Sequence, residues 1–284
     1  MSNKIILSAD STCDLSEELK KKYNINYCPF IVLIDGKEYH DGIDILPDEI
    51  YSIYRTKKVL PKTAAIGVGE YNKYFKNWVE QGYDIIHINI SSAMSSSYQN
   101  CCMAAKELGN VYPIDSKNLS TGTGLLVLET AKRIQNGLDA KTIQKEVSDL
   151  TTKVQASFIL DTLEFLKAGG RCSTIAAMGA NLLKLKPCIE VDNVQGKMGV
   201  SKKYRGDLNK ALLKYTQDII NEHPNIDTEK IFITHSGISQ DTIDSIHKAL
   251  VEMKDFKNIY ITRAGCTVSS HCGPNTLGVL FMTH

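Results

Sequence analysis

The sequence predicts an α/β fold in two domains. Residues 1–155 form an N-terminal unit with a mostly parallel sheet flanked by helices. Residues 156–284 form a C-terminal α+β unit with a mixed or antiparallel sheet. Three observations predict this. At 284 residues the chain exceeds the usual size of one compact domain. Apolar strand-like runs alternate with helical patterns through the first half, which calls for a parallel sheet covered on both faces. Beyond residue 155 two strand-like runs are joined by a short turn, and strands so closely connected cannot be parallel.

In chain order, residues 4–9 read as a buried strand ending at Asp10-Ser-Thr-Cys-Asp14. Asp14 and Glu17 stand at capping-box spacing and open a helix to about Tyr23. Residues 28–34 form a second strand, closed by an Asp35-Gly36 hairpin turn. Pro47-Asp-Glu-Ile50 begins a helix with its proline and acids at the favourable end. Pro61 to Gly67 reads as a loop between helical segments. Residues 71–81 are helical, 84–90 a strand, 98–108 a helix, 111–115 a strand and 125–135 an apolar helix. The helix at 141–154 connects the halves. A strand at 157–161 and a short helix at 162–168 follow, the helix stopped by Gly169-Gly170. Residues 174–184 read as helical, and 188–192 and 197–203 as strands joined by Asn193-Val-Gln-Gly196. Strands at 231–234, 259–262 and 278–282 then frame helices at 207–222 and 240–254.

The composition excludes several classes of function. An apolar fraction of 43% and a charged fraction of 23% are those of an ordinary globular protein. A net charge of +1 argues against an extended nucleic-acid surface. The short apolar run before Asp10 is not a signal peptide, and no run suits a membrane helix, so a cytoplasmic location is expected. Eight cysteines without a Cys-x-x-Cys pair read as thiols. Cys266 to Cys272 has no zinc spacing, so no metal is expected. Gly122-Thr-Gly124 completes no phosphate-binding motif, and close helix packing explains its glycines better.

The most informative stretch is Ser91-Ser-Ala-Met-Ser-Ser-Ser-Tyr-Gln99, just past the strand at 84–90. At the carboxyl end of a strand in an open α/β sheet, hydroxyls and backbone N–H groups suit an oxyanion. Ser91 or Ser92 could equally cap the next helix. Thr63 offers a further hydroxyl, and Arg171, after Gly169-Gly170, could bind an acid group or make a structural ion pair. His271 sits in what reads as a turn-forming loop before Gly273-Pro274. A serine hydrolase acting on an acyl ester through Ser95 and His271 is the rival reading, although no Gly-x-Ser-x-Gly elbow is present. Lys202, Lys203 and Arg205 concentrate positive charge and suggest docking of an acidic partner.

In order, these pieces resemble the DegV family of fatty-acid-binding proteins. The resemblance is carried by Asp10-Ser-Thr-Cys-Asp-Leu15, Pro61-Lys-Thr63, Ser91 to Gln99, Leu163 to Arg171, Lys186-Pro187, Lys203-Tyr-Arg-Gly206 and His271-Cys-Gly-Pro274. It implies a non-enzymatic carrier that buries one long-chain, palmitate-like fatty acid and needs no cofactor. It further implies a carboxylate held by Thr63 and Ser95, with Ser92 in reserve and Arg171 and His271 in support. The implied partner is a fatty-acid kinase, which would meet Lys202, Lys203 and Arg205. Two positions depart from the family's usual pattern. Ser96 stands where glycine is usual, and Ala64 stands where serine usually follows the threonine.

Overall fold

A computed structural model describes residues 4–176 and 185–284. The chain begins with β1 (Ile5–Asp10), α1 (Glu17–Lys22), β2 (Ile25–Cys28), β3 (Ile31–Ile34), β4 (Lys37–His40), α2 (Pro47–Lys57) and β5 (Lys62–Ala64). It continues through α3 (Val68–Glu80), β6 (Asp84–Asn89), α4 (Ser97–Leu108), β7 (Val111–Asp115), α5 (Ser120–Gln135) and α6 (Ala140–Asp149). Then come β8 (Val154–Ile159), α7 (Glu164–Gly169), α8 (Ser173–Ala176), β9 (Leu185–Asp192), β10 (Lys197–Arg205) and α9 (Leu208–Glu222). The chain ends with β11 (Ile226–His235), α10 (Gln240–Met253), β12 (Ile259–Arg263), α11 (Cys266–Cys272) and β13 (Leu277–Thr283).

These elements build the expected α/β class. Strands in the order β2-β1-β6-β7 form an all-parallel sheet. A six-stranded sheet, β10-β9-β8-β13-β11-β12, is antiparallel except where β11 pairs with β12. A small antiparallel sheet, β4-β3-β5, stands apart from both. Helix α5 touches β1 and β6 on one side and β8, β11 and β13 on the other, and is buried through most of its length. One continuous hydrophobic core therefore joins Leu7 and Ile88 to Phe158 and Leu280.

Several local expectations change. Residues 28–34 are not one strand. Pro29 cannot donate to a ladder, and Phe30 N–H turns to the Ser11 hydroxyl at 3.1 Å, so β2 and β3 enter different sheets. Ser16, not Asp14, caps α1, its Oγ accepting from Leu19 N–H at 3.3 Å. The carboxylate of Asp14 instead accepts from Ser120 Oγ at 2.6 Å and Gly265 N–H at 2.8 Å. Residues 62–64 are strand, because β3 supplies an antiparallel partner, with Thr63 opposite Val32. Helix α5 starts at Ser120 rather than 125. Gly124 allows this, since a Cβ there would lie 2.8 Å from the Cys13 carbonyl oxygen. His271, expected in a turn-forming loop, lies in α11. Asp41 receives the N–H groups of Cys266 and Thr267 at 2.7 and 3.0 Å, supplying acceptors that its sequence lacks. Of the helix expected at 174–184, residues 177–184 lie outside the described residues.

Candidate functional site: a cleft at the junction of the sheets

Two narrow cavities meet inside the fold. The first is bordered by Thr63, Ser95, Arg171 and His271 at its polar end, with Phe30, Met94 and Met198 among its apolar walls. The second is lined by Ala156, Phe158 and Leu280, among others. Leu119, Val268 and Cys272 border both, so the two are adjoining parts of one apolar passage. Four distant segments supply the polar end: strand β5, the loop after β6, the turn between α7 and α8, and α11.

The Thr63 hydroxyl lies 2.8 Å from His271 Nε2. His271 Nδ1 is buried without a partner. It lies against Gly169, where a Cβ would come within 2.1 Å of it. A buried orphan N–H is rarer than an orphan acceptor, so we assign the ring proton to Nε2, which donates to Thr63 Oγ1. The threonine then keeps its own O–H for an incoming anion. Ser95 is arranged similarly. Its Oγ accepts from Ser97 N–H at 3.2 Å and lies 2.9 Å from Ser97 Oγ, which itself accepts from Ile66 N–H at 3.2 Å. A proton donated by Ser97 to Ser95 leaves the Ser95 O–H for a ligand. The Ile66 contact also fastens the threonine loop to the serine loop.

Arg171 contributes charge at the mouth. Its guanidinium donates to the Gly169 carbonyl at 2.6 Å and to the Met94 carbonyl at 3.4 Å. Burial, and then the Arg171 charge, push the His271 imidazole down to about 4. The imidazole is therefore neutral at pH 7, and the positive potential for an anion comes from Arg171. No carboxylate contacts His271 among the described residues, and its near hydroxyl is Thr63 rather than Ser95. A hydrolase needs a base that is oriented by a third group and faces its nucleophile. The geometry does not favour that rival.

The depressed His271 value has a pH consequence. In the unfolded chain histidine titrates near 6.5, so between pH 6.5 and about 4 the unfolded state binds the extra proton and stability falls as pH falls. Asp14 acts with opposite sign, because burial raises its carboxyl to about 8 and its contribution fades as pH rises through that value. A difference measurement separates the two. His271→Gln should lose less stability than the parent between pH 6.5 and 4, by on the order of 1–3 kcal/mol. Thermal melts of both proteins across that range check it, and identical pH profiles would contradict it.

The other sequence candidates lie elsewhere. Ser92 does not line the cleft: its N–H donates to Asp115 at 3.0 Å, and its Oγ receives Lys117 Nζ at 3.3 Å. Neither Ser91 nor Ser92 caps α4; Ser91 Oγ donates to the Gly196 carbonyl at 2.8 Å and so ties the serine loop to the β9–β10 turn. Ser96 has φ −76°, so the loop does not use glycine's freedom there. Lys202 faces α9, ion-paired with Glu222. Lys203 and Arg205 point the other way along β10. They stand opposite Pro187 and Leu185, on the sheet face that also carries Met198 opposite Val191.

A buried cluster missed by the sequence reading supports the serine loop. Asp10 accepts from Tyr71 Oη at 2.7 Å, His87 Nε2 at 3.0 Å and Ile90 N–H at 2.9 Å, the last at the start of that loop. Ser8 Oγ holds His87 Nδ1 at 2.9 Å and Tyr74 Oη at 2.9 Å.

With this geometry in place, comparison with known proteins is decisive about ancestry. Residues 4–284 match the profile described as "Uncharacterised protein, DegV family". The chain belongs to the DegV family. It is 32% identical to a DegV domain-containing protein of Clostridium acetobutylicum over 98% of each chain. A second relative, from Clostridium perfringens, is 30% identical over 99% of each. Among solved structures, a Thermus thermophilus DegV family protein described for its fatty-acid binding is 26% identical. It superposes with a TM-score of 0.87, covering 99% of this chain and 100% of that one. A stearic-acid-binding protein of Eubacterium ventriosum is 26% identical, with a TM-score of 0.83 over 99% and 98% of the two chains. No helix among the described residues of this DegV chain is long and apolar enough to cross a membrane.

Proposed function

We propose that this chain is a non-enzymatic carrier that buries one long-chain, palmitate-like fatty acid and presents its carboxylate at the protein surface. The observation that carries the proposal is the apolar passage ending in two hydroxyls, Thr63 and Ser95, whose acceptor sides are already occupied within the protein. In this reading the unit 1–155 supplies both hydroxyls, and the unit 156–284 supplies Arg171 and His271. The bound fatty acid is the only non-protein group required. About a dozen buried methylenes at ~0.8 kcal/mol each give on the order of 10 kcal/mol. That offsets the several kcal/mol of desolvating a carboxylate held by neutral donors.

The same reading makes a separate fatty-acid kinase the partner that would phosphorylate the presented carboxylate. Lys203 and Arg205 share the sheet face of Met198 and suit an acidic face of that partner. Lys202, facing α9, is less suited to it.

Each hydroxyl bond to the charged carboxylate contributes roughly 1.5–3 kcal/mol. Thr63→Ala or Ser95→Ala alone should therefore weaken palmitate binding without abolishing it. The double variant should lose two or more orders of magnitude. Titration of the four proteins with palmitate, their fold checked by circular dichroism, tests the assignment. Unchanged affinity in a folded double variant would refute it.

A further inference from the structure

Resting on that carrier reading, we propose that the cleft is built for a long-chain acid bearing a hydroxyl group near its carboxylate, and that Thr267 reads that hydroxyl. Thr267 lines the first cavity and is 4% exposed. Its Oγ1 has no hydrogen-bond partner, whereas Thr63 and Ser95, in the same cavity, both have one. Two other buried threonines in helices satisfy themselves locally. Thr130 and Thr216 bond the carbonyl four residues back, at 2.8 and 2.9 Å. Thr267 has no such outlet, because the residue four back, Arg263, belongs to β12. Its backbone is fixed by the N–H bond to Asp41 at 3.0 Å.

The position along the ligand follows from the helix. Thr267 and His271 are four residues apart on α11, hence on one face and about 6 Å apart along its axis. Ala264, before the N-terminus of α11, lines the second cavity, and Val268 lines both. An acyl chain whose carboxylate meets Thr63 and Ser95, beside His271, therefore runs back along α11 and passes Thr267 within its first few carbons. Against a plain methylene chain the Thr267 hydroxyl is desolvated with nothing in return. A ligand hydroxyl both donates and accepts, as the threonine does, and completes the pair.

The test compares palmitate, β-hydroxypalmitate and ω-hydroxypalmitate as titrants of the delipidated full chain and of Thr267→Val. The parent should bind β-hydroxypalmitate roughly five- to tenfold more tightly than palmitate, with no such gain for the ω-isomer. Thr267→Val should erase the preference, and Thr267→Ser should retain it. A parent that prefers palmitate, or a preference that survives in Thr267→Val, would overturn the proposal. Should Thr267→Val fail to fold, the parent and Thr267→Ser ratios decide the matter. Failure of every acid to bind would instead overturn the carrier reading itself, and the palmitate arm alone reveals that.

Discussion

Asp10→Ala is expected to destabilise the fold by about 3–5 kcal/mol, the cost of removing one member of a buried charged network. The carboxylate is fully buried and is the shared acceptor for Tyr71, His87 and the Ile90 N–H. Without it those donors lose the acceptor they share in the core. Ile90 N–H is the first backbone donor before the serine loop, so the loss should also reach Ser95. Urea denaturation gives the stability, and a change below about 1 kcal/mol would show that the network is not the anchor described.

Val268→Trp is expected to abolish long-chain binding while leaving a folded protein. Val268 borders both cavities, and a tryptophan there would close the passage between them. Excluding roughly six methylenes at ~0.8 kcal/mol each forfeits on the order of 5 kcal/mol, more than a thousandfold in Kd. Overpacking costs about 1–3 kcal/mol of stability, so unfolding must be checked separately. An octanoate control should bind far less differently between parent and variant than palmitate does. Equal palmitate affinity in Val268→Trp would mean the chain does not run through this passage.

The parts of the fold legible in the sequence were those whose cause is local. Residues 85–90 and 111–115 carry apolar runs bounded by polar ends, and the Asn193 to Gly196 turn announces its hairpin. Illegible parts depend on distant partners. Strand β5 is three residues that become a strand because β3 lies beside them. Helix α11 is rich in small polar and cysteine side chains, with little helix propensity. Asp14 and Asp41, more than 200 residues away in sequence, receive its first N–H groups. The site divides in the same way. Thr63, Ser95, Arg171 and His271 could be nominated from their motifs, but the pairing of Thr63 with His271 could not. Ser92 and Ser95 look alike in sequence, and only the course of the loop turns one toward Lys117 and the other into the cleft. Thr267 carried no signal, because an unpaired hydroxyl is visible only once its neighbours are known.

In the proposed carrier the passage between the sheets holds a long-chain fatty acid. The most direct test is mass spectrometry of an organic extract of the purified, denatured chain, quantified against protein. A long-chain acid is expected in near-equimolar amount from the parent, and its loss from Val268→Trp. A parent extract without any such acid, from protein that also fails to take up added palmitate, would contradict the carrier proposal.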